Sequence, residues 1–173
     1  MTSEELEKIV DLVGLKTLVL SNISADDLLN NPYRVVFKDD HIEFYNENNK
    51  LDSYNDLPAI IFADGTKLWH KNGELHRDGD KPTAIWADGT KLWYKNGLRH
   101  RDGDMPAVIL ADGAKVWYKN GLRHRDGDKP TVIWADGERW WYKNEKLIKK
   151  EKSQNNINEI RNLIRLIIKK NLF

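Results

Sequence analysis

The sequence predicts a mainly β protein, a single-layer antiparallel meander of 24-residue hairpin repeats with helices at both ends. Proline, glycine and tryptophan recur at this spacing, which indicates one supersecondary unit stacked on copies of itself. Each interval holds two short apolar, partly β-branched runs that suit strands, and Asp-Gly and Asn-Gly pairs that favour turns. The recurring residues are Pro58, Pro82, Pro106 and Pro130; Gly65, Gly89, Gly113 and Gly137; and Trp69, Trp93, Trp117 and Trp141.

The second regular copy shows how one repeat is expected to fold. Residues 83–87 suit a first strand, and Asp88-Gly89 is expected to close a two-residue hairpin whose turn demands positive φ. A second strand is expected over residues 90–95, followed by an Asn96-Gly97 turn and a short third strand over residues 98–101. The proline that opens the next copy fits the first position of a strand.

The repeat array is predicted to cover residues 33–147. A degenerate copy precedes four regular ones, because Phe44-Tyr45 aligns with Leu68-Trp69. Residues 1–32 are expected to form an N-terminal helical cap, and residues 148–173 to contain an amphipathic helix. The copies are expected at 33–56, 57–80, 81–104, 105–128 and 129–147.

Both termini carry helix signals. Thr2 and Glu5 form a capping-box pattern ahead of apolar residues at helical spacing, and Ser24 with Asp27 predicts a second short helix. At the other end Ser153 is the predicted N-cap of a helix that runs to about Lys170. This basic helix either covers the edges or a face of the sheet, or binds a membrane surface or a partner's groove. Its apolar residues are Ile157, Ile160, Leu163, Ile164, Ile167 and Ile168, and its basic residues Arg161, Arg165, Lys169 and Lys170.

Composition narrows the class of protein. The 173 residues include no cysteine, which excludes a disulfide framework and a cysteine zinc site. The acidic, polar start is unlike a signal peptide, and no apolar run approaches the roughly 20 residues of a membrane span. We therefore expect an intracellular location.

Charge is unevenly distributed although the net charge is only +1. Residues 1–56 hold five Lys and Arg against twelve Asp and Glu, a net charge of −7. Residues 129–173 hold eleven against five, a net charge of +6. This is either ordinary surface variation, or an acidic end that attracts the basic end of a neighbouring copy or separate partners at the two ends.

A tryptophan with a cation two residues before it and another two residues after it recurs in the second strand of each repeat. A sheet places equivalent side chains side by side, so the sequence predicts a row of tryptophans bordered by two rows of cations. This row is either a track for an anionic polymer or headgroup (nucleic acid, glycan or phosphoinositide), or core covered by lysine stems. The candidate ligand-binding residues are Trp69, Trp93, Trp117, Trp141, Lys67, Lys71, Lys91, Lys95, Lys115, Lys119, Arg139 and Lys143.

No motif predicts catalysis, a metal or a cofactor. His-Arg-Asp occurs three times, without the downstream asparagine or Asp-Phe-Gly of a kinase. Instead, Arg and Asp of successive repeats are expected to pair, and His to bond a backbone carbonyl. The Asp-Gly-Asp turns are shorter than a usual calcium ligand run, so aspartate bonds to backbone amides are favoured. No Ser-His-Asp set, P-loop, Rossmann fingerprint or His-Glu-x-x-His is present, which favours a non-enzymatic protein.

Residues 93–100, W-Y-K-N-G-L-R-H, followed by a glycine turn, an apolar strand and Asp-Gly, resemble a MORN repeat. The resemblance covers about two thirds of the chain. It departs after the histidine, where MORN has glycine and this chain has Arg77, Arg101 and Arg125 and an added proline. This variant resembles MORN-like repeats of giant DNA viruses of the mimivirus type, phages and bacteria. The resemblance implies an interaction module, either a protein scaffold or an attachment to membranes or phospholipids, and its viral members imply a location in the cytoplasm of a host or infected cell, or in a virion. The regular array and its oppositely charged ends favour a scaffold that binds another protein or its own copies.

Overall fold

The computed structural model describes residues 32–170, so the predicted N-terminal helices lie outside the described residues. The chain divides into two compact units, residues 1–98 and 99–173. Both are built from antiparallel strands, which confirms the prediction of a mainly β protein with hairpins. One helix, α1 (Gln154–Lys170), lies in the described part of the chain, at the predicted position.

In the first unit six strands form a sheet in the order β1-β2-β3-β4-β7-β8, and β5 pairs with β6 in a separate hairpin. The strand β10 (Leu98–Arg99) lies at the boundary between the units. The bounds are β1 (Arg34–Phe37), β2 (His41–Tyr45), β3 (Ile60–Phe62), β4 (Lys67–Leu68), β5 (His70–Lys71), β6 (Glu74–Leu75), β7 (Ala84–Ile85), β8 (Lys91–Leu92) and β9 (Tyr94–Lys95).

In the second unit five strands follow the order β11-β12-β15-β16-β17, and β13 pairs with β14 in a separate hairpin. The helix α1 follows the last strand. The bounds are β11 (Val108–Ile109), β12 (Lys115–Val116), β13 (Tyr118–Lys119), β14 (Leu122–Arg123), β15 (Val132–Ile133), β16 (Arg139–Lys143) and β17 (Lys146–Glu151).

The single second strand predicted for each repeat is wrong for the first three regular copies. The chain leaves the larger sheet at the tryptophan and enters the small hairpin, as at Trp69 between β4 and β5. The backbone N–H of Trp69 still donates to the carbonyl of Thr83, so the tryptophan marks the last step of sheet pairing. A repeat therefore contributes one hairpin to the larger sheet and a second, smaller hairpin beside it.

The Asp-Gly turns also differ from the prediction. Trp86 and Thr90 close a three-residue loop, in which the Thr90 N–H donates to Asp88 Oδ1 at 2.8 Å and Gly89 alone takes a positive φ, of 89°. This is the hairpin type in which a glycine in the left-handed region follows a turn. The Asn-Gly prediction is confirmed, because Asn96 and Gly97 have φ of 51° and 73°, as a two-residue primed turn requires.

In each unit a buried threonine bonds through its hydroxyl to the backbone of a tyrosine further along the chain. Thr83 Oγ1 accepts the Tyr94 N–H at 3.0 Å and donates to the Tyr94 carbonyl at 3.1 Å. Thr131 makes the same pair with Tyr142, at 3.0 Å in both directions. These hydroxyls satisfy backbone groups at the point where the chain bends after the tryptophan. The core around them includes Ile42, Phe44, Ala59, Ile61 and Ala84 in the first unit and Ala107, Val108, Ala114 and Val132 in the second.

Candidate binding surface

In the first unit the side chains of Asp56, Arg77 and Lys81 form a hydrogen-bonded cluster beside Trp69. The ring is 4% exposed, and its Nε1–H donates to the Asp56 carbonyl at 2.9 Å. The guanidinium of Arg77 lies over the ring at 3.8 Å from its centroid and donates to both Asp56 carboxylate oxygens, at 2.6 and 2.9 Å. Lys81 Nζ donates to the same carboxylate at 2.6 Å. The tryptophan is thus covered by a paired arginine, an arrangement we call the arginine-covered tryptophan.

The second unit repeats the arginine, aspartate and lysine contacts of this cluster, although the Nε1–H of Trp117 has no hydrogen-bond partner in the described part of the chain. Arg125 lies over Trp117 at 3.9 Å and donates to Asp104 at 2.5 and 3.0 Å, and Lys129 Nζ reaches the same carboxylate at 2.6 Å. In both units the third guanidinium contact is a proline carbonyl of the next copy, at 3.0 Å from Arg77 and 2.9 Å from Arg125. These contacts confirm the predicted pairing of Arg and Asp from successive repeats.

The paired cations stabilise the charged form of these carboxylates. Hydrogen bonding from Arg77, reinforced by Lys81, lowers the pKa of Asp56 to about 2 against the cost of its desolvation. Arg125 and Lys129 likewise lower the pKa of Asp104. The clusters are therefore fully charged near neutral pH.

Burial places three of the four predicted tryptophans in the core. Trp93 and Trp117 are 6% exposed, close to the value for Trp69, whereas Trp141 is half-buried. Lys149 Nζ lies 4.8 Å from the Trp141 ring centroid. Because Arg77 and Arg125 occupy the ring faces of Trp69 and Trp117, a base or sugar can stack there only if the guanidinium moves. These positions favour the core interpretation of the tryptophan row.

The two predicted rows of cations have different surroundings. In the row after the tryptophans, Lys71 and Lys119 donate to Asp78 and Asp126 at 2.9 and 2.8 Å, and Lys95 and Lys143 are exposed. The row before the tryptophans, which we call the inner cation row, lies in the larger sheets. Its side chains make no hydrogen bond or ion pair within residues 32–170. The inner cation row consists of Lys67 and Lys91 in the first unit and Lys115 and Arg139 in the second.

Isoleucines separate the inner cations within each sheet. Ile85 lies between Lys67 and Lys91 in the strand register, and Ile133 lies between Lys115 and Arg139. Burial lowers the pKa of Lys67, which is partly covered. With strands about 4.8 Å apart, the two cations of a unit stand on strands roughly 10 Å apart.

Two of the repeated histidines each contact a turn of the next copy and a nearby aspartate. His76 Nδ1 accepts the Asn96 N–H at 3.2 Å, and its Nε2 lies 3.1 Å from Asp78 Oδ1. A backbone N–H can only donate, so Nδ1 is the acceptor and Nε2 is the ring nitrogen left to face the carboxylate. His100 repeats these contacts with Asn120 and Asp102 at 3.1 and 2.9 Å. The predicted bond from His to a backbone carbonyl is wrong, because the ring accepts from a turn amide.

Clefts open between successive loops in both units. A cleft of about 430 Å³ in the first unit is lined by Asp52, His70 and His76, and one of about 340 Å³ in the second by His100, Tyr118 and His124. His70, at the position of the tyrosines in the other copies, is buried, and desolvation lowers its pKa. Within residues 32–170 no group of three His, Cys, Asp or Glu side chains is placed to hold a metal ion.

The helix α1 begins directly after Ser153, the predicted N-cap, and ends at Lys170. Its described side chains, residues 158–170, are all exposed, so its apolar stripe does not cover a face of the sheet. In the described part of the chain no helix combines the length and the apolar content needed to cross a membrane.

Sequence reasoning missed the arginines over the tryptophans and the buried threonines. The arginines carried a signal, because each follows a tryptophan by eight residues in three successive copies. No protein-family model, curated protein or solved structure matches the chain at a significant level. The resemblance to MORN-like repeats therefore stays a prediction.

Proposed function

We propose that this chain is a non-enzymatic repeat scaffold that mediates protein–protein contact, in the first instance contact between its own copies. The supporting observation is that one hydrogen-bonded cluster recurs in both units. Asp56 with Arg77, and Asp104 with Arg125, hold equivalent positions with equivalent atoms. Residue types that elsewhere perform catalysis here join successive repeats to one another, which suits a regular framework that presents a surface.

Oppositely charged surfaces in the two units support association between copies. Acidic side chains lie exposed beside β1 and β2, among them Asp39, Asp40 and Glu47. The last strand, β17, is rich in lysine, and Leu147 and Ile148 on it are exposed. Opposite charge on two surfaces of one chain favours head-to-tail contact, because each surface is complementary to the other on a neighbouring copy.

Size-exclusion chromatography with light scattering at low and high salt tests this function. At about 20 mM salt we expect a mass above the 20.2 kDa monomer, and at about 0.5 M salt a return to the monomer, since salt screens exposed charges. Asp39→Lys and Glu47→Lys, each made alone, should weaken association at low salt. Glu74→Lys, an exposed acid within a side hairpin, is the matched control. A monomer at every salt concentration contradicts the proposal.

The inner cation row supports a second candidate function, binding of an anionic polymer such as single-stranded DNA. Its four cations have no acidic partner in the described part of the chain, unlike Lys71 and Lys119. With three tryptophans buried, the affinity would come from charge and would fall steeply with salt.

Fluorescence anisotropy with labelled oligothymidylate tests this second candidate. The pair Lys67→Gln, Lys91→Gln, both in the first unit, should lower the affinity and reduce its salt dependence. The control pair Lys50→Gln, Lys146→Gln removes the same charge from exposed positions outside the row. Equal affinities for the two pairs would show that the row is not the binding site.

A further inference from the structure

The helix α1 presents an apolar stripe that is exposed in the structure. At 100° per residue, five of its aliphatic side chains fall within an arc of about 140°. They are between 49% and 58% exposed. A contiguous exposed apolar surface of this kind marks an interaction site. The five residues are Ile160, Leu163, Ile164, Ile167 and Ile168.

Cations border this stripe. Arg161, Arg165 and Lys169 are spaced four residues apart, so they form one row along its edge, and Lys170 lies near the opposite edge. The preceding strand β17 adds further lysines. Residues 146–170 hold eight Lys and Arg against two Asp and Glu, a net charge of +6. The surface around the stripe is therefore strongly basic.

We propose that α1 lies flat on an anionic lipid bilayer, with its apolar stripe in the acyl boundary and its cations among the headgroups. A helix with one apolar face, a basic polar face and low mean hydropathy suits the membrane interface. Its 17 residues extend about 25 Å, shorter than the roughly 30 Å hydrocarbon core, and the charges exclude a spanning position.

Charge also selects the membrane over a second copy of the same helix. Antiparallel pairing of two such stripes would place the arginine rows of both helices beside one another, which is repulsive. In either orientation the stripe, residues 160–168, is little more than one heptad long and too short for a strong coiled coil. An anionic bilayer instead offers lipid charges to all four cations at once.

Vesicle co-sedimentation of the intact chain tests this inference. With vesicles of phosphatidylcholine and about 30% phosphatidylserine we expect binding that falls in pure phosphatidylcholine and at high salt. The double variant Leu163→Gln, Ile167→Gln should weaken binding by about tenfold or more, because it removes two inserted side chains. Leu166→Gln is the control, since Leu166 is as exposed but lies about 60° outside the stripe. All three positions are exposed, so circular dichroism and thermal unfolding should stay unchanged.

Any one of three results would overturn the inference. Failure of the unaltered chain to sediment with phosphatidylserine vesicles overturns it, as does equal binding by the double variant and Leu166→Gln. Light scattering that shows dimers lost in the double variant, without vesicle binding, would assign the stripe to a second copy. The pair Lys67→Gln, Lys91→Gln should retain vesicle binding, which separates this helix from the inner cation row. Head-to-tail assembly is tested at Asp39 and Glu47, so the two proposals fail independently.

Discussion

Replacing Trp69 by alanine is expected to destabilise the protein by about 4–5 kcal/mol. The ring is 4% exposed, and large-to-small changes of buried aromatic residues cost about 3–5 kcal/mol. The upper end applies because the Nε1–H bond to the Asp56 carbonyl and the contact with Arg77 are lost as well. Arg77 would keep its pairing with Asp56 but would lie over a cavity.

Urea unfolding followed by circular dichroism measures this change, with Trp86→Ala as the control. Trp86 belongs to the same array but is 47% exposed, so its replacement should cost about 1 kcal/mol or less. Trp69→Phe should fall between the two, because it keeps most of the apolar ring and leaves the Asp56 carbonyl without its donor. If Trp69→Ala and Trp86→Ala destabilise equally, Trp69 is not a core residue and our view of the arginine-covered tryptophan is mistaken.

Three further predictions concern pH, a turn and a buried hydroxyl. The folded pKa of Asp56, about 2, lies below its unfolded value of 3.8, so its stabilising contribution is complete above about pH 4 and disappears as pH falls towards 2. Urea midpoints for Asp56→Asn should therefore vary less with pH in that window than those of the unaltered chain, and identical slopes would refute the pairing. Gly89→Ala should lower the free energy of unfolding by about 1–2 kcal/mol, because the φ of 89° is strained for alanine. Nothing lies within 4 Å of the added Cβ, so a larger loss of stability in chemical denaturation would contradict this backbone explanation and indicate a packing clash. Thr131→Val should cost about 1–3 kcal/mol by leaving the Tyr142 N–H and carbonyl without the hydroxyl, and an unchanged melting temperature would count against that bond pair.

The repeat period and the Asn-Gly turns were predictable because both are local. A two-residue primed turn needs positive φ at both positions, and Asn96-Gly97 supplies the two residue types that adopt it most readily. The Asp-Gly pair is equally compatible with a two-residue and a three-residue loop. The bond from the Thr90 N–H to Asp88 is part of the longer loop, in which Asp88 is not among the residues with positive φ. A dipeptide by itself does not distinguish these loops.

The candidate site was predictable in outline and not in its contacts. The spacing predicted a cation on each side of every tryptophan, but not that in the first three regular copies the two rows lie in different strands, one in the larger sheet and one in the small hairpin. It did not show that Lys71 pairs with Asp78 whereas Lys67 has no acidic partner within the described residues. A lysine is therefore neutralised in the row after the tryptophans and has no acidic partner, within the described residues, in the row before them. The acids that pair with the first of these rows belong to loops beside the small hairpins.

The main features of the architecture can be predicted from the amino acids alone: a 24-residue period, antiparallel hairpins, turns at fixed offsets and a basic amphipathic helix after the last strand. Each of these follows from the chemistry of neighbouring residues, such as positive φ at asparagine and glycine or an apolar face at helical spacing. Contacts in the folded chain are needed to show whether the tryptophans are core or contact, and which cations are neutralised. Those properties depend on partners distant along the chain, as Asp56 and Arg77 are around Trp69, and burial exists only once they meet.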